Sequence, residues 1–245
     1  MSKKIVEEIV KPKPKFSVSE RFEFISQFVN LVGSSKLNSF ILTGSGGLGK
    51  THAVIEGLKK KGLREETIMD EGDYICIRGF STAKALYRTL WENNGKVIIF
   101  DDADSVHRDP IGANILKAAL GSEDKRIISW GAEFPEAESL PNRFEFIGRV
   151  VFISNLSQSQ FPQALLSRSM RVDLTLNTVE KLERIRQVFG DIKGEVEEKA
   201  EVMEFIDKYA EVASDLNIRS ALNILKLKRD IGDNWERLAL YNFTS

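Results

Sequence analysis

The stretch Ser39-Phe-Ile-Leu-Thr-Gly-Ser-Gly-Gly-Leu-Gly-Lys-Thr51 joins an apolar run to a glycine-rich loop. Its second part, residues 44–51, fits the pattern G-x-x-x-x-G-K-[ST]. The apolar residues predict a buried strand over 39–43, and a helix is predicted from Thr51 to about Lys60. Glycines let backbone N–H groups fold around phosphate oxygens, and the start of a helix adds unpaired donors. The stretch therefore predicts a phosphate-binding loop between a strand and a helix.

The side chains of this loop indicate a nucleotide with a metal ion. A lysine at this place reaches the β and γ phosphates, and the hydroxyl that follows binds Mg²⁺. The predicted nucleotide-binding residues are Gly44, Ser45, Gly46, Gly47, Leu48, Gly49, Lys50, Thr51 and the adjacent His52. The two histidines, His52 and His107, lack metal-ligand spacing.

An acidic pair follows a second buried strand. The apolar residues 97–100 lead directly into Asp101 and Asp102. We expect Asp101 to orient magnesium-bound water, and Asp102 to align or deprotonate the water that attacks the γ-phosphate. Asp104 is interpreted as a loop or capping residue, although the three aspartates together also suggest a calcium site. The expected cofactors are ATP and Mg²⁺.

Strands and helices alternate along most of the chain. Strands are predicted at 39–43, 74–77, 96–101, 149–154 and 172–176, with helices between them, one of them from Ile111 to Leu120. A helix capped by Ser19 precedes the first strand. This order predicts an α/β fold whose parallel sheet is covered on both faces. Two extra β-like runs, 126–130 and 143–147, predict a hairpin insertion.

The β pattern stops near residue 177. Three amphipathic helical segments are expected at about 178–189, 195–213 and 218–230, with a short tail to 245. The predicted organisation is a flexible basic arm (1–15), a nucleotide-binding α/β domain (16–177) with the hairpin at about 126–147, and a helical domain (178–245).

Composition excludes several classes of function. Lys and Arg total 35 against 36 Asp and Glu, so there is no global electrostatic attraction to nucleic acid or anionic lipid. The single cysteine, Cys76, excludes an intramolecular disulfide and a cysteine-based zinc cluster, and it fits a reducing cytosol. No apolar run approaches ~18 residues. We therefore expect a cytoplasmic protein with no membrane partner.

These motifs together resemble the AAA+ ATPases over roughly residues 19–230. Residues 44–51 are similar to Walker A, and residues 97–102 to Walker B. The strand 150–153, which leads into Ser154 and Asn155, resembles the sensor 1 strand. The resemblance implies that Asn155 helps to position the attacking water. It also implies a five-stranded parallel sheet of order 5-1-4-3-2 and a small C-terminal helical lid.

Two later arginines extend the resemblance. Leu165-Leu166-Ser167-Arg168 is similar to the arginine-finger segment of clamp loaders, and Arg219 resembles the sensor 2 arginine. Arg171 is the alternative finger, since it also precedes the last predicted strand. A finger acts in the site of a neighbouring subunit. The resemblance therefore implies a homo-oligomer, a ring or a spiral, with Arg168 acting in trans.

The sequence departs from the family pattern at Asp102, where AAA+ proteins most often carry Glu. Aspartate is one methylene shorter, and its carboxylate falls short by ~1.3 Å in a reaction that is sensitive to geometry. We hypothesise that turnover is slow or depends on a partner.

The hairpin lies where some AAA+ helicases and unfoldases carry a pre-sensor 1 hairpin. Its tip contains Glu133, Glu136 and Glu138, and an acidic tip repels phosphates, which weakens the analogy with DNA helicases. The basic residues Arg126, Arg143 and Arg149 lie towards its base. The runs 98–106 and 125–130 also resemble small ATPases encoded by tailed bacteriophages.

The predicted function is an AAA+ ATPase that couples Mg-ATP binding and hydrolysis to the remodelling of a nucleic-acid or protein partner. Phage DNA replication or recombination is one setting for it. The first alternative is an ATP-dependent switch or loader subunit with slow turnover. The second is a P-loop kinase, although a kinase does not need Asn155, Arg168 and Arg219.

Overall fold

A computed structural model describes residues 15–79, 82–131, 134 and 139–245. Of the predicted basic arm, it describes only Lys15, so that prediction lies outside the described residues. The same holds for the acidic hairpin tip with Glu133, Glu136 and Glu138.

The first helix, α1, spans Val18–Gly33 and begins earlier than predicted. The side chain of Ser17 accepts a hydrogen bond from the N–H of Glu20, and the Glu20 carboxylate accepts one from the N–H of Ser17 at 2.7 Å. This reciprocal pair satisfies two donors at the helix start. The prediction of Ser19 as the cap is therefore wrong by two residues.

The α/β part continues after α1. Its elements are β1 Ser39–Gly44, α2 Lys50–Lys60, β2 Tyr74–Arg78, α3 Ala83–Glu92, β3 Val97–Asp101, α4 Ser105–Arg108, α5 Pro110–Ala119, β4 Ile127–Ser129, β5 Arg143–Glu145, β6 Arg149–Ser154, α6 Gln163–Leu166 and β7 Met170–Leu174. In this part, strands and helices alternate except at the consecutive helices α4 and α5 and at the hairpin β4–β5 that precedes β6.

Five parallel strands form one sheet in the order β2-β3-β6-β1-β7. Strands β4 and β5 pair with each other in a separate two-stranded sheet and are not part of the five-stranded one. Counted without them, the five strands lie in the order 5-1-4-3-2. The predicted α/β class with a five-stranded parallel sheet is confirmed. The last strand starts at Met170, two residues before the prediction, so Arg171 lies within it, opposite Ile41.

Both faces of the sheet are buried. Along β3, Ile98 and Phe100 pack with α3 and α5 on one face, while Val97 and Ile99 pack with α1 and α2 on the other. Successive side chains of a strand point to opposite faces, which explains why β3 is apolar throughout. This double burial holds the carboxyl ends of the central strands β3, β6 and β1 at one edge.

The hairpin of β4 and β5 is antiparallel and packs on α3 through aromatic rings. Tyr87 contacts the rings of Trp130, Phe134 and Phe144, and its hydroxyl donates a hydrogen bond of 2.6 Å to the carbonyl oxygen of Pro141. Such a cluster stabilises the base of the hairpin through burial and ring contacts.

Two of the basic residues at the hairpin base are structural. Arg126 donates hydrogen bonds to the carbonyl oxygens of Ala119 and Gly148, and Arg149 donates one to that of Gly95. Burial lowers the pKa of both guanidinium groups. These hydrogen bonds tie the base of the hairpin to the end of α5 and to neighbouring loops of the protein.

The C-terminal part is helical and has its own core. It contains α7 Thr178–Asp191, α8 Val196–Tyr209, α9 Ile218–Ile231 and α10 Trp235–Thr244. Buried aromatic and aliphatic side chains from all four helices form this core, including Phe189, Phe205, Leu225, Trp235 and Phe243.

The expected short tail after residue 230 is wrong, because residues 235–244 form α10. Trp235, Ala239 and Phe243 are spaced four residues apart and are all buried, which is the helical period. The boundary between an α/β domain and a helical domain near residue 177 stays a prediction. Across the described ranges, we find no helix with the length and apolarity needed to cross a membrane.

Candidate nucleotide site

The loop after β1 has a backbone that requires glycine. Gly44, Gly47 and Gly49 have φ values of 132°, 69° and 86°, all in the region that L side chains rarely adopt. A Cβ at Gly44 would also lie 2.5 Å from the backbone carbonyl of Leu174 in β7. The loop therefore turns tightly against the sheet and leads into α2 at Lys50.

Lys50 is almost fully buried at the mouth of this loop, with 5% of its surface exposed. Its ammonium donates hydrogen bonds to the carbonyl oxygens of Gly44 (2.7 Å) and Ser45 (2.8 Å) and to Oδ1 of Asn155 (2.8 Å). Burial lowers the pKa of Lys50, and the carboxylates of Asp102 and Asp101 oppose that shift. The ammonium group is thus held inside the bend of the loop.

Thr51 and Asp101 are in direct contact. The Thr51 hydroxyl donates a hydrogen bond of 2.9 Å to Oδ1 of Asp101, which joins the first turn of α2 to the end of β3. A hydroxyl and a carboxylate are hard oxygen ligands of the kind that Mg²⁺ prefers. The donor set of this pair therefore fits a nucleotide-bound magnesium ion.

Asp102 lies beside Asn155. Nδ2 of Asn155 donates a hydrogen bond of 2.9 Å to Oδ1 of Asp102. Asp102 has a φ of 53°, in the left-handed region that Asp and Asn adopt more readily than other side chains. Burial raises the pKa of the Asp102 carboxyl, and the charge of Asp101 adds to that shift. The carboxylate therefore takes up a proton more readily than a free aspartate.

Asp104 points to a different partner. Its Oδ1 accepts a hydrogen bond of 2.6 Å from the hydroxyl of Ser154 and lies 3.6 Å from Nε2 of the buried His107. Within the described ranges, no group of three His, Cys, Asp or Glu residues is arranged to hold a metal ion. The calcium interpretation of the three aspartates is therefore not supported.

The helical part contacts the loop through the start of α9. The N–H of Ile218 donates a hydrogen bond of 3.0 Å to the carbonyl oxygen of Gly47. Asn217, the N-cap of α9, is 2% exposed and accepts a hydrogen bond from the N–H of Ser220 at 2.9 Å. A Cβ at Gly47 would lie 2.5 Å from Cγ of Asn217. Arg219, which follows Ile218, thereby lines the same cavity as the loop.

These groups enclose a cavity of about 200 Å³. It brings together most of the predicted site residues from the loop, the ends of β3 and β6 and the helical part: Gly46, Gly47, Gly49, Lys50, Thr51, His52, Asp101, Asp102, Asn155 and Arg219. The predicted fingers do not line it. Arg168 is exposed and donates a hydrogen bond of 2.9 Å to the carbonyl oxygen of Ala164, and Arg171 is exposed on β7.

Two arginines near the cavity were missed by the sequence analysis. Nε of Arg78 donates a hydrogen bond of 3.1 Å to Oδ2 of Asp101. The guanidinium of Arg184, on α7, lies 3.6 Å from the ring centroid of Phe22, on α1, and burial lowers its pKa. The implied strand order places the second strand beside the third, but the predicted strand 74–77 ends before Arg78, and only the observed register pairs Arg78 with Asp101. No local pattern connects Arg184 with Phe22.

Helix α7 is tied to α1 by further polar contacts. Arg21 forms an ion pair with Glu180, and Nε2 of Gln187 donates a hydrogen bond of 3.0 Å to the Ser19 hydroxyl. Arg184 lies between these contacts and the loop, since one of its amino groups would be 3.7 Å from a Cβ at Gly49. Helix α7 therefore contacts α1 and also lies beside the loop at Gly49.

The sheet order, the glycine-rich loop and the helices beside it give this protein the fold of the AAA+ ATPases. Solved structures with this likeness include AMPPCP-bound DnaA from Aquifex aeolicus (TM-score 0.51, 17% identity, 92% of this chain and 68% of that one). They also include Drosophila ORC bound to DNA (TM-score 0.53, 17% identity, 94% of this chain and 62% of that one). At this identity, the likeness establishes the fold alone.

A curated relative is an uncharacterised 36.7 kDa protein of Enterobacteria phage T4, from the nrdC-mobD intergenic region. It is 30% identical over 184 residues, which are 69% of this chain and 54% of that protein. The chain thus spans about half the length of this relative. No protein-family model matches the chain.

Proposed function

We propose that this protein is an ATPase that binds Mg-ATP in the cavity beside Lys50 and hydrolyses it. One observation carries the proposal: the loop before α2 and the ends of β3 and β6 bring a cation, a hydroxyl–carboxylate pair and a carboxylate–amide pair together. This is the combination that phosphoryl transfer needs, because the protein's task there is positioning and charge stabilisation.

Each side chain has a separate task in this proposal. The loop N–H groups and Lys50 bind the phosphates, and Thr51 with Asp101 holds the magnesium ion. An ion held by these two residues would supply positive charge that offsets the negative charge on the phosphates. Asp102 aligns the attacking water and accepts its proton, and Asn155 orients Asp102. Arg219 adds positive charge on the side of the helical part.

We place the nucleotide base beside the loop, on the side where α1 and α7 meet. Phe22 and Arg184 stack on each other there, so the guanidinium already covers this face of the ring. The likeness to AMPPCP-bound DnaA supports a nucleotide as the ligand. Residues 178–245 act as a lid in this proposal, because the start of α9 already contacts the phosphate loop.

We further propose that the active unit is a homo-oligomer, a ring or a spiral. Arg168 is exposed and does not line its own cavity, which is the arrangement expected of a finger that acts in a neighbouring subunit. The oligomer would remodel a nucleic-acid or protein partner in the cytoplasm. The DNA-bound ORC structure and the phage relative support phage DNA replication or recombination as the setting.

The proposal is tested by Asp102→Asn, with phosphate release and nucleotide binding measured side by side. Asparagine keeps the shape and tolerates the left-handed backbone, so we expect an unchanged melting temperature and retained ATP binding. Hydrolysis should fall by roughly a hundredfold or more, because the amide cannot accept the proton. Asp124→Asn, on an exposed aspartate, is the matched control.

Unchanged turnover in Asp102→Asn would reject the role of this carboxylate. A wild-type protein that binds no ATP would reject the function itself. Phosphate release measured with and without single-stranded DNA then separates the two classes of partner, because a DNA motor is stimulated by its strand.

A slow-turnover switch is the second candidate, and the aspartate at position 102 favours it. The left-handed backbone there suits Asp better than the longer Glu, and the shorter carboxylate stands further from the attacking water. A switch would bind ATP stoichiometrically and release less than about one phosphate per minute, whereas a motor would turn over on the scale of seconds.

A further inference from the structure

Arg78 lies directly beside the carboxylate that we assign to the magnesium site. It is the last residue of β2, and the parallel register pairs it with Asp101, the last residue of β3. Its Nε donates a hydrogen bond of 3.1 Å to Oδ2 of Asp101, while the Thr51 hydroxyl occupies Oδ1. Both carboxylate oxygens are therefore engaged, one by the loop helix and one by the neighbouring strand.

The two partners differ sharply in exposure. The side chain of Asp101 is 9% exposed, whereas that of Arg78 is 68% exposed. An ion pair with one well-solvated partner contributes little stability, because solvent screens it and competes for the guanidinium. Moving the Arg78 side chain away from Asp101 therefore costs little free energy, whereas the buried Asp101 side chain stays in place.

The pair affects a metal ion in two ways. The guanidinium occupies lone pairs of Oδ2 that a magnesium ion or its bound water would use. It also places a permanent positive charge next to the ion, and like charges at this distance repel each other. Both effects weaken Mg²⁺ binding, and the negative charge of a triphosphate offsets them.

We propose that Arg78 is a positioning residue that lowers the magnesium affinity of the Asp101 site, so that Mg²⁺ binds together with the nucleotide and not before it. This inference rests on the proposed nucleotide function. It adds a residue from β2 to a site that is otherwise built from the loop, β3, β6 and the helical part.

The test compares wild type with Arg78→Ala and Arg78→Lys. Binding of a fluorescent ATP analogue is first measured in EDTA. Mg²⁺ is then titrated at a fixed, saturating analogue concentration, and the Mg²⁺ concentration at half of the fluorescence change is the Mg²⁺ midpoint. We expect Arg78→Ala to lower the Mg²⁺ midpoint by about threefold to tenfold, as removal of one exposed charge beside the ion predicts. Arg78→Lys should give an intermediate midpoint, because it keeps the charge but loses the fixed Nε donor.

Arg186→Ala is the matched control. Arg186 forms an exposed ion pair of 2.6 Å with Asp207 within the helical part, so its loss removes the same charge without touching the cavity. Its Mg²⁺ midpoint should equal that of wild type. Circular dichroism and melting temperature verify that each variant is folded.

The outcomes separate the two proposals. A Mg²⁺ midpoint in Arg78→Ala that is unchanged or raised overturns the role of Arg78, even though the analogue still binds. A wild-type protein that binds no analogue, with or without Mg²⁺, overturns the nucleotide function and this inference with it.

Discussion

Lys50 donates a hydrogen bond of 2.8 Å to the side-chain oxygen of Asn155, a residue 105 positions later in the chain. The amide nitrogen of the same Asn155 donates to Asp102 at 2.9 Å. An amide has an acceptor on one side and donors on the other, so it fits between a cation and an anion. Asn155 thereby connects the lysine proposed to bind phosphate to the carboxylate proposed to act on water.

Replacing Asn155 should separate binding from turnover. In Asn155→Ala we expect hydrolysis to fall about tenfold or more, because Asp102 loses the donor that orients it, while ATP affinity changes less than about threefold. Asn155→Asp should be more harmful, since a second carboxylate beside Asp102 raises its pKa and repels phosphate. Phosphate release and ATP binding are the measurements.

Asn114→Ala, on an exposed asparagine of α5, serves as the control for this pair of variants. Equal turnover in Asn155→Ala and the control would contradict the proposed role. A tenfold loss of ATP affinity in Asn155→Ala would assign Asn155 to binding instead.

Gly47→Ala should destabilise the contact between loop and helical part. A Cβ there would lie 2.5 Å from Cγ of Asn217, and the φ of 69° is strained for any L side chain. The control is Gly62→Ala, which has a φ of 85° but no atom within 4 Å of the added Cβ. Strain alone costs about 1–2 kcal/mol, so Gly62→Ala should lower the free energy of unfolding by that amount and leave ATP binding unchanged.

We expect Gly47→Ala to lower the free energy of unfolding by more than Gly62→Ala does and to weaken ATP binding by about tenfold or more. Melting temperatures and ATP affinities measure both effects. In the double variant with Asn217→Ala, the steric clash should be relieved. The double variant should therefore lose less unfolding free energy than the two single variants added together. Strict additivity would show that the clash is absent.

Mixing two variants that are each expected to be inactive, Lys50→Ala and Arg168→Ala, tests whether Arg168 acts in trans. Lys50→Ala removes the cation proposed to bind phosphate but keeps Arg168, whereas Arg168→Ala keeps an intact cavity. If the finger serves a neighbouring subunit, mixtures should regain part of the phosphate release that each variant lacks. Turnover should also rise steeply with protein concentration.

The same mixture made with Arg171→Ala identifies the finger. Arg171 lies within β7, so we expect its loss to be the milder of the two. Failure of every mixture to recover activity would contradict a shared site.

The thiol of Cys76 should be unreactive in the native protein. Burial raises the pKa of Cys76 to about 11, and the nearby charge of Asp101 adds to the shift. Because the thiolate is the reactive form, labelling at pH 8 should be about 100-fold slower than for an ordinary thiol, and it should rise with pH towards 11. Iodoacetamide labelling followed by mass spectrometry measures the rate.

Unfolded protein in guanidinium chloride, labelled at the same pH, provides the reference. Equal rates in the native and unfolded protein would show that the environment of Cys76 does not protect it.

Local patterns predicted the parts of the site that depend on adjacent residues. The glycine-rich loop is recognisable because its backbone conformation excludes other residues at Gly44, Gly47 and Gly49. Asp101 is recognisable because it ends an apolar strand. The sequence predicts a tail where helix α10 lies, although the buried residues Trp235, Ala239 and Phe243 carry the helical period.

The sequence by itself determined the class of fold and the cation, hydroxyl and carboxylates at the cavity, because each lies in or beside a short motif with its own backbone geometry. Only the tertiary structure decided which distant side chains meet there. The contacts of Arg78 with Asp101, Arg184 with Phe22 and Asn217 with Gly47 depend on strand register and on how α7 and α9 pack. Long-range packing of this kind leaves no trace in the spacing of neighbouring residues.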